Sequence, residues 1–168
     1  MNEEGIVVVK EEKKSLFGRL FHLVMFAVAV YGAVTAVAKV MLRLSNRLEE
    51  DNEGNEKKRY LNFMNGRNIR FSNEKVSNVE INAIAGGVEL DLTEAELAPE
   101  TTVFVRAFMS GIVVKVPPMV RVEVETADVL SGFLNMVPNY ESENLPVVYL
   151  TTQSIMSGIR VEMEPEEE

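Results

Sequence analysis

The chain has no cysteine, no tryptophan and a single histidine in 168 residues. Without cysteine there is no disulfide framework, no thiol nucleophile and no thiolate zinc site. The one histidine, His22, lies inside an apolar run, so a His-based triad or multi-histidine metal site is not available within one chain. Positive charge is also scarce: 17 Lys and Arg stand against 26 Asp and Glu, a net charge of −9. Binding phosphates needs clustered Lys and Arg, so nucleic acid is not an expected partner. What is present is foldable, with 46% hydrophobic and 26% charged residues. At this length, one ordinary domain plus an appendage is expected.

The appendage is N-terminal. Leu20–Ala38 reads LFHLVMFAVAVYGAVTAVA, without Asp, Glu, Lys or Arg. Nineteen helical residues span roughly 28 Å, close to the ~30 Å hydrocarbon thickness of a bilayer. Nine of them are Leu, Phe or Val, which sum to about −4 kcal/mol on the insertion scale. The run is apolar all round, which suits lipid better than an interface; an interfacial helix or a signal anchor is the competing reading. Small residues at Ala29, Gly32, Ala33 and Ala36 allow two such helices to pack, although facing lipid is the plainer use of alanine. Lys10, Lys13, Lys14 and Arg19 precede the run, whereas Lys39, Arg43, Arg47, Lys57 and Lys58 follow it. That excess of one charge favours a cytoplasmic C-terminal domain by the positive-inside rule. The expected layout is a polar tail over 1–15, a membrane helix over 16–48 touching lipid through 20–38, a charged linker over 49–66, a β domain over 67–164 and an acidic tail over 165–168. The chain is thus expected to be a single-pass cell-membrane protein.

The β domain announces itself as a repeat. IAGGVELDL (84–92), FMSGIVVKV (108–116), VLSGFLNMV (129–137) and IMSGIRVEM (155–163) align on Gly87, Gly111, Gly132 and Gly158, spaced 24, 21 and 26 residues apart. Eight residues before each glycine stand Val79, Val103, Val124 and Leu150; one after stand Val88, Ile112, Phe133 and Ile159. Around the glycines apolar and polar residues alternate, as in Val88-Glu-Leu90-Asp-Leu92, the mark of strands with one buried face. One such unit cannot bury its inner face alone. Stacking successive copies does, with like residues in columns. The expected fold is therefore an all-β C-terminal domain, a small right-handed parallel β-helix (solenoid) of about four coils, after one long N-terminal transmembrane α-helix. Ile69, Phe71, Val79 and Ile81 are expected to supply an opening coil. The glycines are expected to mark corners where φ > 0 is needed, with small residues before them leaving room at the bend. An antiparallel sandwich is the competing fold. Asn135 is the misfit in an aliphatic column: either it faces out or it hydrogen-bonds inside.

GGVELDLTEAEL followed by FMSGIVVKVPPMVRVEVET resembles the C-terminal domain of LiaF-type cell wall-active antibiotics response proteins. The matching residues are Gly86 to Leu92, Gly111 to Val116, Pro117 and Val120 to Val124, within about 95 residues from Asn68 to Met163. The resemblance implies a β-helix and a membrane-linked regulatory role in bacterial envelope stress, exercised through protein contact. Better-known members carry several membrane helices before the domain, and this chain shows one apolar run.

No catalytic, cofactor-binding or metal residue is proposed from the sequence, and no cofactor is expected. Gly86-Gly87 is followed by a strand pattern, so the helix N-terminus that a phosphate loop requires is missing. Glu89 with Asp91, and Glu123 with Glu125, read as outward carboxylates able to meet Lys115 or Arg121, chiefly as a solvated surface that discourages strand pairing. Carbohydrate enzymes built on β-helices need aromatic-lined grooves, and a domain this small without tryptophan has little to build one. The expected function is a non-enzymatic membrane-anchored module that binds a protein partner or forms a homo-oligomer; a self-assembling scaffold of the bactofilin kind is the alternative.

Overall fold

The computed structural model describes residues 16–52, 56–140, 142 and 144–163. The expected polar tail 1–15, the acidic tail 165–168 and positions 53–55 of the expected linker lie outside the described residues. The chain divides into two compact units, Met1–Val37 and Ala38–Glu168.

A single helix, α1 (Leu16–Asn52), runs across that boundary. Its stretch Gly18–Leu48 is long and apolar enough to cross a membrane, and its side chains are not buried by the protein. In the second unit its character changes. Ala38, Met41, Ser45 and Leu48 are half-buried and Asn52 is buried, a three-and-four spacing that puts one face of the helix against protein.

Among the described residues, the elements after α1 are all strands: β1 (Lys57–Phe63), β2 (Gly66–Ile84), β3 (Gly87–Phe108), β4 (Gly111–Val116), β5 (Arg121–Val129), β6 (Gly132–Asn135), β7 (Val147–Ile155) and β8 (Gly158–Met163). Every described strand pair is parallel, which excludes the antiparallel sandwich. Two ladders carry the pairing. Before the glycines, Phe63, Ile84, Phe108, Ile155 and Val129 are neighbours in that order. After the corner, Gly66, Gly87, Gly111, Gly158 and Gly132 form the matching row. The long strands β2 and β3 hold both ladders in one element, with their mutual register shifting between Arg70 and Asn78. Inward columns are aliphatic: Ile69, Leu90, Val114 and Val161 are successive partners, and all are buried.

Three expectations change. The ladder has five rungs rather than four, because Met64-Asn65-Gly66 is a further copy of the corner. The segment expected as the linker 49–66 therefore holds the last turn of α1 and all of β1; pairing of Tyr60 and Leu61 with Ile81 and Asn82 overrides its charged composition. Stacking is also not sequential. The fourth copy, β7–β8, pairs on one side with β3 and β4 and on the other with β5 and β6, so the third copy ends the stack. Burial explains the exchange. β7–β8 offers Val147, Val148, Leu150, Ile159 and Val161 to the core, whereas β5–β6 brings Asn135 to the Val161 column and Asp128 opposite Ser154. Polar groups without partners are costly inside and cheap at an end. Asn135 is indeed exposed there, its Oδ1 accepting the Val137 N–H at 3.0 Å.

Candidate functional site

The corners differ from expectation in their chemistry. None of Gly66, Gly87, Gly111, Gly132 and Gly158 adopts a left-handed φ, and at four of them an added Cβ would meet open space. The left-handed residue stands two positions earlier: Met64, Ala85, Met109, Leu130 and Met156 have φ between 51° and 53°. The backbone ladder continues through this bend, for example Met109 N–H to Ile155 O and Gly158 N–H to Ser110 O, both 3.0 Å. The residue between is set by hydrogen bonding. Ser110, Ser131 and Ser157 each donate from Oγ to the carbonyl two residues back. They also accept from the next rung: Gly86 N–H to Ser110 Oγ at 3.4 Å, Ser110 N–H to Ser157 Oγ at 3.1 Å, Ser157 N–H to Ser131 Oγ at 3.0 Å. Serine is there as a cross-rung connector. Gly86 breaks the series because a Cβ would lie 2.3 Å from Asn65 O.

The left-handed residues point outward. Met64, Met109, Met156 and Leu130 are 58%, 52%, 54% and 84% exposed. Beside them Phe108, Ile155 and Val129 are exposed as well. Two apolar columns thus form a ridge along the ladder, flanked by a groove of about 480 Å³ whose lining includes Ala83, Arg106, Ala107 and Ser154. A side chain other than Gly or Asn at φ > 0 costs of order 1 kcal/mol. Strain combined with exposed apolar surface is typical of an interaction site rather than a packing solution. Neither feature is legible from periodicity alone, although the repeated Phe-Met, Val-Leu and Ile-Met dipeptides before the corner residue are the signal.

Several charges of the β domain are paired. Glu80 takes Lys57 at 2.8 Å and Arg106 at 2.9 Å. The Lys57 hydrogen bond is the largest influence on its carboxyl and holds it below the usual carboxylate range against the opposing effect of burial. Asp91 is fully buried, a correction to its expected outward, solvated position. Burial works against its ionisation. Hydrogen bonds from Thr93 N–H and Oγ1 and from Arg70 Nε at 2.7 Å outweigh it, so the pKa lies below its ordinary value. Glu89 meets Lys115 across rungs at 2.9 Å, and Arg121 meets Glu123 on its own strand at 3.1 Å. Among the described residues, no group of three or more His, Cys, Asp or Glu is placed to hold a metal. His22 Nδ1 lies 2.6 Å from the Gly18 carbonyl within the apolar helix.

The two ends of the ladder are unlike. At β1 the edge is occupied: Asn52 Oδ1 accepts the Arg59 N–H, Asn52 Nδ2 donates to Arg59 O, and Ser45 Oγ donates to Leu61 O. At β5 the edge carries Glu123 and Glu125 outward and Asp128 inward, where Asp128 accepts from Ser154 Oγ at 2.6 Å. Charges on and behind an edge strand block further strand addition.

No family model matches the chain, and comparison with curated proteins and with solved structures found no match.

Proposed function

We propose that this is a single-pass membrane protein whose C-terminal domain is a small right-handed parallel β-helix working as a non-enzymatic protein-contact module. The observation that carries the reading is the pairing of two unsatisfied apolar surfaces in one chain: the uncovered side chains of α1 and the exposed corner ridge. The first needs lipid, the second a protein. The matched glycine row and aliphatic columns support the β-helix, each repeat unit forming one coil. The resemblance to LiaF-type domains supports a regulatory role in bacterial envelope stress. Under this reading the β-helix is cytoplasmic, following the surplus Lys and Arg after the apolar run.

Cross-linking in intact membranes tests the reading directly: adducts containing the full chain are expected, and recovery of monomer alone would count decisively against it. Carbonate extraction of the membrane fraction checks the anchor. The bactofilin-like scaffold needs two open ends for head-to-tail growth, and the Ser45 and Asn52 bonds to β1 argue against it.

A further inference from the structure

Resting on that reading, we infer that the corner ridge binds a second copy of the same chain, through an antiparallel, two-fold-related contact. The ridge is large enough. Six of its seven exposed Met, Leu, Phe, Ile and Val side chains, all but Met64, meet a partner rung in this contact and offer on the order of 600 Å² together. That stands at the top of the ~300–600 Å² range for the largest patch of a typical monomer and is about three quarters of the ~800 Å² per partner of a standard interface. A lipid surface is the poorer occupant. The cations flanking the ridge, Arg106 and Arg160, are ion-paired with Glu80 and Glu162, so no basic belt is offered to anionic headgroups.

Self-complementarity picks the partner. Along the outer column the order of residues is Met64, Ala85, Met109, Met156 and Leu130. It contains one notch, at Ala85, and one knob, Leu130. A two-fold axis between the Met109 and Met156 rungs reverses the partner's column. Met109 then faces Met156, and each Leu130 knob enters the other copy's Ala85 notch. In the second column the same operation sets Phe108 against Ile155. An isologous contact of this kind closes at a dimer. Both ladder ends are blocked, so the lateral ridge is where association goes. The left-handed corners acquire a purpose: they hold adaptable Met side chains and the Leu130 knob out from the surface, where Gly or Asn would relieve strain and present little.

The test exploits the absence of cysteine. Full-length Ala85→Cys and Leu130→Cys chains, mixed in detergent micelles and mildly oxidised, are expected to give a disulfide-linked mixed dimer. Each variant alone is expected to stay at least tenfold less cross-linked. Leu130→Asp, at an exposed position and with its folding checked by circular dichroism, is expected to weaken dimerisation at least tenfold in sedimentation. A monomeric wild-type chain, efficient cross-linking of Leu130→Cys to itself, or a dimer indifferent to Leu130→Asp would each overturn the inference. The parent reading fails separately, if membrane cross-linking captures no protein of any kind.

Discussion

At the scale of single residues, the corner sorts glycines by what they do. Gly86→Ala pushes a methyl group against the Asn65 carbonyl and the Asn62 amide, and overpacking of this kind costs about 1–3 kcal/mol. Gly111→Ala meets open space at an ordinary φ, and the expected cost is under about 1 kcal/mol. Urea unfolding of the two variants in detergent checks the contrast; equal costs would mean that the corner glycines act through something other than sterics. Met109→Asn, which suits a left-handed φ, is expected to gain up to about 1 kcal/mol in the same experiment. Acid sensitivity also belongs here. Glu80 and Asp91 have folded pKa values below their ordinary ones, so the unfolded chain takes up protons first. Their contribution is complete above the ordinary carboxyl pKa of about 4 and drains away as pH falls through the folded values. Stability is therefore expected to be flat from neutrality to about pH 5 and to decline below about pH 4. Asp91→Asn should flatten that decline, measured by unfolding at stepped pH.

At the scale of elements, α1 does two jobs along one continuous helix. Its first half is apolar and uncovered, while its last turns satisfy the β1 edge through Ser45 and Asn52. Asn52→Ala strips partners from both the N–H and the C=O of Arg59, at a cost of about 1–3 kcal/mol. Hydrogen exchange is expected to show faster exchange at the Arg59 amide while the Leu90 and Val114 amides stay protected. In the apolar half, Val28→Arg places a charge near the middle of the run, which costs about 3 kcal/mol on the insertion scale against a total of about −4. Insertion is left near balance, and a reduced share of the chain in the carbonate-resistant fraction is the expected outcome.

At the scale of the whole molecule, the acidic terminal strand guards the end of the stack. Replacing Glu123 and Glu125 with valine removes both outward carboxylates from the β5 edge, and concentration-dependent growth of large assemblies is expected by light scattering.

Much of this architecture is legible in the amino-acid order. The uncharged run from Leu20 to Ala38, the period-two alternation and the glycine repeat are local signals, each set by burial along a few neighbouring residues. They carry the helix, the strands and the parallel pairing of like with like. The opening copy at Met64-Asn65-Gly66 was equally readable, and was obscured only by the charged residues before it. Other features needed three dimensions. That β7–β8 enters between its predecessors depends on comparing how well two distant copies fill the same layer, a competition no local pattern records. The charge of Asp91 is held in its buried position by Arg70 from the adjacent rung and by Thr93, two residues further along β3. The ridge exists because the left-handed bend falls two residues ahead of glycine and turns Met and Leu outward together. Sequence alone determined which segments become strands and where each copy turns, since burial periodicity is local; tertiary structure decided which copies pair and what the corners display, since both depend on contacts between residues far apart in the chain.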